Sequence, residues 1–207
     1  MHRQNVIATG LLVVASAFVI TAGYAKDLGP LGLLNACVAR LTGGSQLVSS
    51  NSLMSETESP TAPEFASGSW INSAPLTLKG LRGRVVLVDF WTFGCYNCRN
   101  TLPFIKRWHE LYGDKGLTIV GVHSPEFDTE KKVENVRREV ASLGIRYPVV
   151  TDNDYETWRA YRVEAWPTVF VLDKTGRVRW THVGEGAYDE TDRTIQQLLM
   201  EDAKQIH

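Results

Sequence analysis

The run Val85-Val86-Leu87-Val88-Asp89-Phe90 is apolar at every position but one. A strand with one face in water alternates apolar and polar residues, whereas a strand without alternation must be covered on both faces, and the covering layers in such folds are helices. A second run of this kind, Leu117-Thr118-Ile119-Val120-Gly121-Val122, follows a stretch predicted to be helical from about Cys95 to Leu111. Val133, Val136, Val140 and Leu143 then fall on one helical face that stops at Gly144. Strand, helix, strand, helix implies parallel core strands joined by right-handed crossovers.

The end of the chain changes pattern. Thr168-Val169-Phe170-Val171-Leu172, the turn Asp173-Lys174-Thr175-Gly176, and Val178-Arg179-Trp180-Thr181-His182 predict an antiparallel hairpin, and Ile195, Leu198 and Leu199 line one face of a closing helix. The expected fold class is an α/β sandwich: a central mixed β-sheet flanked by helices.

With 207 residues there is room for one domain of common size plus an N-terminal extension. From Val6 to Ala25 no charged residue occurs, Arg3 precedes the stretch and Lys26 and Asp27 follow it. Residues 1–25 are therefore expected to be a signal peptide, for which Gly23-Tyr24-Ala25 supplies small residues at the cleavage point, or an uncleaved membrane anchor. Both place everything after Lys26 outside the cytoplasmic membrane, in a periplasmic or other extracytoplasmic space. Residues 26–69 are rich in Ser, Thr, Gly, Glu and Pro over their second half and are expected to form a flexible, disordered linker, leaving residues 70–207 as the folded domain. The formal charge of −1 is spread along the chain, so no basic patch marks a nucleic-acid binder.

The chain has three cysteines, too few for a disulfide framework. Cys37 stands alone; Lys26 and Asp27 break the apolar run that a lipid-attachment signal would need, and the residue is read as a free thiol. Cys95 and Cys98 form Cys-x-x-Cys where the first buried strand gives way to a helix. Unpaired N–H groups and about half a positive charge at a helix N-terminus stabilise a thiolate, the nucleophile of disulfide exchange, so Cys95 is the expected attacking residue. Cys98 lies on the same side of the first turn and can close a redox-active disulfide with Cys95 as the resolving residue. Zinc sites share this spacing but need further ligands; the predicted domain has no other cysteine, and His109, His123 and His182 lack ligand spacing, so neither metal nor cofactor is expected.

Val88-Asp89-Phe90-Trp91 ahead of the cysteines, Pro103 in the helix after them, and Trp166-Pro167-Thr168 before an edge strand together resemble the thioredoxin superfamily. The string Trp91-Thr92-Phe93-Gly94-Cys95-Tyr96-Asn97-Cys98-Arg99, with His123-Ser124-Pro125-Glu126-Phe127 and Tyr147-Pro148-Val149, is closest to the TlpA-like group, and within it to the exported thioredoxin domain of the DipZ proteins. The resemblance spans about Trp70 to Leu199 and implies a thioredoxin-like sandwich acting as a protein-disulfide oxidoreductase. It implies that Pro167 is a cis-proline facing the cysteines. It also implies that Asp89 is a buried carboxylate of raised pKa that takes the proton of Cys98. Glu126 is a candidate for a supporting acid–base part, or else a solvated loop residue; Trp91 and Trp166 would collar the sulfurs, as core packing alone would also require.

The dipeptide Tyr96-Asn97 departs from the Gly-Pro of cytoplasmic thioredoxin, which leaves the redox potential open. The resemblance implies a reductant of protein disulfides, in cytochrome c maturation or periplasmic redox homeostasis, kept reduced by a membrane electron carrier of the CcdA/DsbD type. That carrier is expected to be a separate protein. The competing classes are a thiol peroxidase of the same fold, which would want proline where Val88 stands, and a non-catalytic membrane-tethered binding module or metallochaperone.

Overall fold

A computed structural model of the chain describes residues 53–55 and 59–201. The expected signal or anchor over residues 1–25, Cys37 and residues 26–52 of the expected linker lie outside the described residues. Among the described residues no helix is long and apolar enough to cross a membrane.

Among the described residues six strands form one mixed sheet: β1 (Trp70–Ile71), β2 (Val85–Trp91), β3 (Leu117–His123), β4 (Val149–Thr151), β5 (Thr168–Leu172) and β6 (Val178–Val183), in the order β1-β4-β3-β2-β5-β6. β2 is central, parallel to β3 and antiparallel to β5. All seven of its residues are buried, as the unbroken apolar run requires. Among the described residues four α-helices flank it: α1 (Tyr96–Tyr112), α2 (Val133–Ser142), α3 (Glu156–Ala160) and α4 (Tyr188–Met200).

The two faces of the sheet sort by parity along β2. Val85, Leu87 and Trp91 join Leu102, Ile105 and Trp108 of α1, Val136 and Val140 of α2, and Ile195 and Leu198 of α4 in one core. Val86, Val88 and Phe90 join Ala62, Leu78, Leu81, Tyr161 and Val163 in the other. Asp89 has the parity of Leu87 and Trp91 and so points under α1, toward the face that holds Cys98. The helix α1 runs through Pro103 without interruption.

The expected linker ends earlier than its composition indicates. The Met54 N–H donates to Arg179 O at 3.0 Å, the Val178 N–H to Pro60 O at 2.9 Å and the Ala62 N–H to Gly176 O at 3.0 Å, so Met54 and residues 60–62 lie along the outer edge of the terminal hairpin. Further on, the N–H groups of Ala66 and Ser69 donate to the hydroxyls of Thr157 and Thr151. Residues 59–69 therefore belong to the folded domain, a correction to the boundary at Trp70. Backbone pairing with an unfilled strand edge needs few large side chains, and proline is tolerated there.

Candidate active site

β2 delivers its last side chains to the N-terminus of α1 through a three-residue loop, Thr92-Phe93-Gly94. Cys95 is the N-cap of α1, and its sulfur accepts the Cys98 N–H at 3.3 Å, satisfying one of the orphan donors of the first turn. No acidic residue occupies that turn to offset the positive helix end. Both cysteines are free thiols; Cys95 is half-buried and Cys98 buried at 4% exposure. Burial, then the hydrogen bond to Cys95, drives the Cys98 thiol far above the ordinary cysteine range, so Cys98 needs a base before it can react.

Asp89 lies beneath it at 4% exposure, and burial pushes its carboxyl up from 3.8 to about 7. Its Oδ1 has no hydrogen-bond partner among the described residues. A carboxyl of this kind changes charge near neutrality and adds to the upward pressure on Cys98 when ionised.

The Trp166–Pro167 peptide is cis, and the register Phe90↔Thr168 sets Pro167 at the same end of the sheet as the cysteine loop. Pro167 O accepts the Gly184 N–H at 2.7 Å, which ties the turn ahead of β5 to the end of β6. Trp166 packs against the core that contains Cys98, donates its indole N–H to Ser124 O at 3.1 Å and lies 4.4 Å from Trp158. Trp91 is buried in the same core and meets His123 edge-on at 5.3 Å.

Glu126 is solvent-exposed and joins the site only through its backbone N–H. The carboxylate that reaches the cysteine loop belongs to Glu130, which is 1% exposed. Its Oε1 accepts the Gly94 N–H at 2.9 Å, and its Oε2 accepts the N–H groups of Glu126 at 2.6 Å and Phe127 at 3.0 Å. Burial pushes the Glu130 carboxyl up, but these bonds and one from the Thr92 hydroxyl outweigh it and hold the group below its ordinary value. Gly94 is required at its position: a Cβ there would lie 2.3 Å from Glu130 Oε1. Thr92 extends the network to His123, 3.3 Å from its hydroxyl; burial lowers this histidine to about 4, so it is neutral at physiological pH.

Sequence reasoning missed Glu130 because it sits in the polar run Asp128-Thr129-Glu130-Lys131-Lys132, which looks like a solvated loop. The one available signal was the loop glycine before Cys95, whose N–H needs an acceptor. Around this site the described residues contain no group of three or more His, Cys, Asp or Glu side chains placed to hold a metal ion.

The comparisons agree with this geometry. Residues 58–199 match the Redoxin family. DipZ of Mycobacterium tuberculosis is 41% identical over 181 residues, which cover 84% of this chain but only 25% of DipZ, so the chain spans about a quarter of that relative. The thiol-disulfide oxidoreductase ResA of Geobacillus kaustophilus is 26% identical over 140 residues, covering 67% of this chain and 76% of ResA. Among solved structures, a thiol:disulfide interchange protein of the thioredoxin family from Chlorobium tepidum superposes with a TM-score of 0.59 and 27% identity over 70% of this chain and 99% of its own. A helix-capping Cys-x-x-Cys over a buried carboxyl, on a mixed sheet with a cis-proline just ahead of β5, thus comes with a family match over most of the chain: the protein belongs to the Redoxin family and has the thioredoxin-like fold.

Proposed function

We propose that this protein is a thiol–disulfide oxidoreductase that works outside the cytoplasmic membrane and exchanges dithiol for disulfide with protein substrates through Cys95 and Cys98. The observation that carries the reading is the pairing of a half-buried thiol at the N-cap of α1 with a buried thiol above a carboxyl that titrates near 7. In the reducing direction the Cys95 thiolate attacks one sulfur of a substrate disulfide, forming a mixed disulfide and releasing the other substrate sulfur as a thiolate. Asp89 takes the proton of Cys98; the Cys98 thiolate attacks the Cys95 sulfur, the Cys95–Cys98 disulfide forms and the second substrate thiolate leaves. Two electrons have then passed to the substrate, and a membrane electron carrier of the CcdA/DsbD type restores the dithiol.

Pro167 offers backbone beside the cysteine loop for an extended substrate segment, while Trp91 lies in, and Trp166 packs against, the core that contains Cys98. Support for the extracytoplasmic site comes from the uncharged N-terminal stretch and from kinship with DipZ and ResA. The test is reduction of insulin by dithiothreitol: the protein accelerates it, Cys95→Ser abolishes the acceleration, and Cys98→Ser accumulates a mixed disulfide at Cys95. Equal acceleration by wild type and Cys95→Ser would overturn the reading. For location, an alkaline phosphatase reporter fused after His207 becomes active only if the domain is exported.

A further inference from the structure

Three buried polar atoms near Cys98 have no hydrogen-bond partner among the described residues: Asp89 Oδ1, Trp91 Nε1 and the Tyr147 hydroxyl. Buried polar groups in folded proteins are almost always paired, so three orphans in one place call for a physical account. They share a place. Gly121 is the register partner of Asp89 on β3, and a Cβ built on it would lie 2.9 Å from Trp91 Nε1 and 3.2 Å from Tyr147 Cε2. Trp91 and Tyr147, with Val149 Cγ2 at 3.3 Å, thus fill the side-chain position that Gly121 leaves free, beside its register partner Asp89; Trp91 and Tyr147 belong to the core that contains Cys98. Their chemistry is complementary. An indole offers one donor, a phenol offers one donor, and an ionised carboxylate is acceptor-only. Burial, and then the neighbouring Asp89 and Cys98, hold the Tyr147 phenol well above the ordinary tyrosine range, so it remains a donor across the neutral range.

We propose that Tyr147 is a positioning residue of the resolving step: when Asp89 loses its proton, the Tyr147 hydroxyl and the Trp91 indole N–H, both unpartnered among the described residues, turn to the carboxylate and stabilise the form that accepts the Cys98 proton. The proposal rests on the exchange reading above. The groups facing Asp89 leave this role to Tyr147 and Trp91. Cys98 on α1 is the proton donor, β5 contributes the uncharged Val169 as its other register partner, and the two nearby histidines meet ring edges instead, His123 at Trp91 and His109 at Tyr147. Loss of either donor removes a stabiliser of the ionised carboxyl, so Asp89 holds its proton to higher pH and deprotonates Cys98 less readily.

The test uses the reduced full-length protein carrying Cys37→Ser, so that Cys95 and Cys98 are its only thiols, mixed with a symmetric nitrothiobenzoate disulfide. Attack by Cys95 releases one nitrothiobenzoate in a first phase; attack by Cys98 on the Cys95 mixed disulfide releases the second and closes the Cys95–Cys98 bond. The second-phase rate against pH reports the base behind Cys98. Expected in Tyr147→Phe is an upward move of that midpoint by about one pH unit, equivalent to an approximately tenfold slower second phase below it. Trp91→Phe moves the midpoint the same way, and Asp89→Asn removes it. The infrared carbonyl band of protonated Asp89, identified by its loss in Asp89→Asn, persists to higher pH in Tyr147→Phe. A midpoint unmoved or lowered in folded Tyr147→Phe, with the carbonyl band titrating as in wild type, overturns the proposal alone. A wild-type second phase that survives Cys98→Ser overturns the exchange reading and the proposal with it.

Discussion

Replacing Glu130 by Ala tests whether the loop before Cys95 is held by a buried carboxylate. The side chain accepts three backbone N–H groups, from Gly94, Glu126 and Phe127, at 2.9, 2.6 and 3.0 Å. Hydrogen bonds to an ionised acceptor are worth about 1.5–3 kcal/mol each net of water, which gives roughly 4.5–9 kcal/mol if nothing replaced them. Glu126 and Phe127 are exposed residues, and water reaches their N–H groups once the side chain is gone. The expected loss is therefore about 3 kcal/mol, dominated by Gly94 and the packing around it. Glu130→Gln preserves the shape but keeps one acceptor oxygen, so it loses about half as much. The pH dependence gives the sharper signature. The folded-state pKa lies below the ordinary 4.5, so the stability due to the carboxylate is complete above that value and is lost as pH falls through the depressed folded one. Urea unfolding should show a wild-type advantage over Glu130→Gln at neutral pH that closes on acidification. An Ala variant within about 0.5 kcal/mol of wild type at neutral pH, or a gap constant into acid, refutes the argument.

Asp89→Asn should stabilise the protein above neutrality. The folded carboxyl is raised from 3.8 to about 7, so its contribution is complete below 3.8 and is lost as pH rises through 7, amounting at most to about 4 kcal/mol. Urea unfolding at mildly alkaline pH reads the gain, and insulin reduction reads the accompanying loss of activity. His123 acts in the opposite sense: its folded value is lowered from 6.5 to about 4, so stability is complete above 6.5 and falls by up to about 3 kcal/mol toward 4. That slope should emerge in Asp89→Asn and vanish in the Asp89→Asn/His123→Asn double variant. Gly94→Ala drives a methyl to 2.3 Å from Glu130 Oε1 and should lower the thermal midpoint. Its cost should shrink by about 1 kcal/mol or more in the Glu130→Ala background, because the obstructing atom is gone.

Much of this architecture is legible in the chain because the signals are strong and local. An uninterrupted apolar run has one solution, a strand covered twice, and β2 and β3 appear where such runs occur. The terminal hairpin has the predicted turn, with Asp173 Oδ1 accepting the N–H groups of Thr175 and Arg177 and Gly176 at a positive φ of 76°. Asp89 stands out as the one charge in its run. The failures share a different cause. β1, β4 and α3 are two, three and five residues long, too short for any period to show. Met54 and residues 60–69 are held through their backbone groups by partners far along the chain, and Glu130 by the N–H groups of Gly94, Glu126 and Phe127. Neither kind of partner leaves a mark on the residues' own composition, so a polar stretch folded through its backbone reads like one that does not fold.

The clasp of Met54, Pro60 and Ala62 on the terminal hairpin decides where mechanical load enters the domain. A pull transmitted from upstream meets the outer strand of the hairpin, with β5 between it and the central strand β2. Fraying would begin on the flank away from α2, leaving the junction of β2 and α1 intact while the clasp peels. Load entering by this edge would leave the sulfurs in register after the edge itself had loosened.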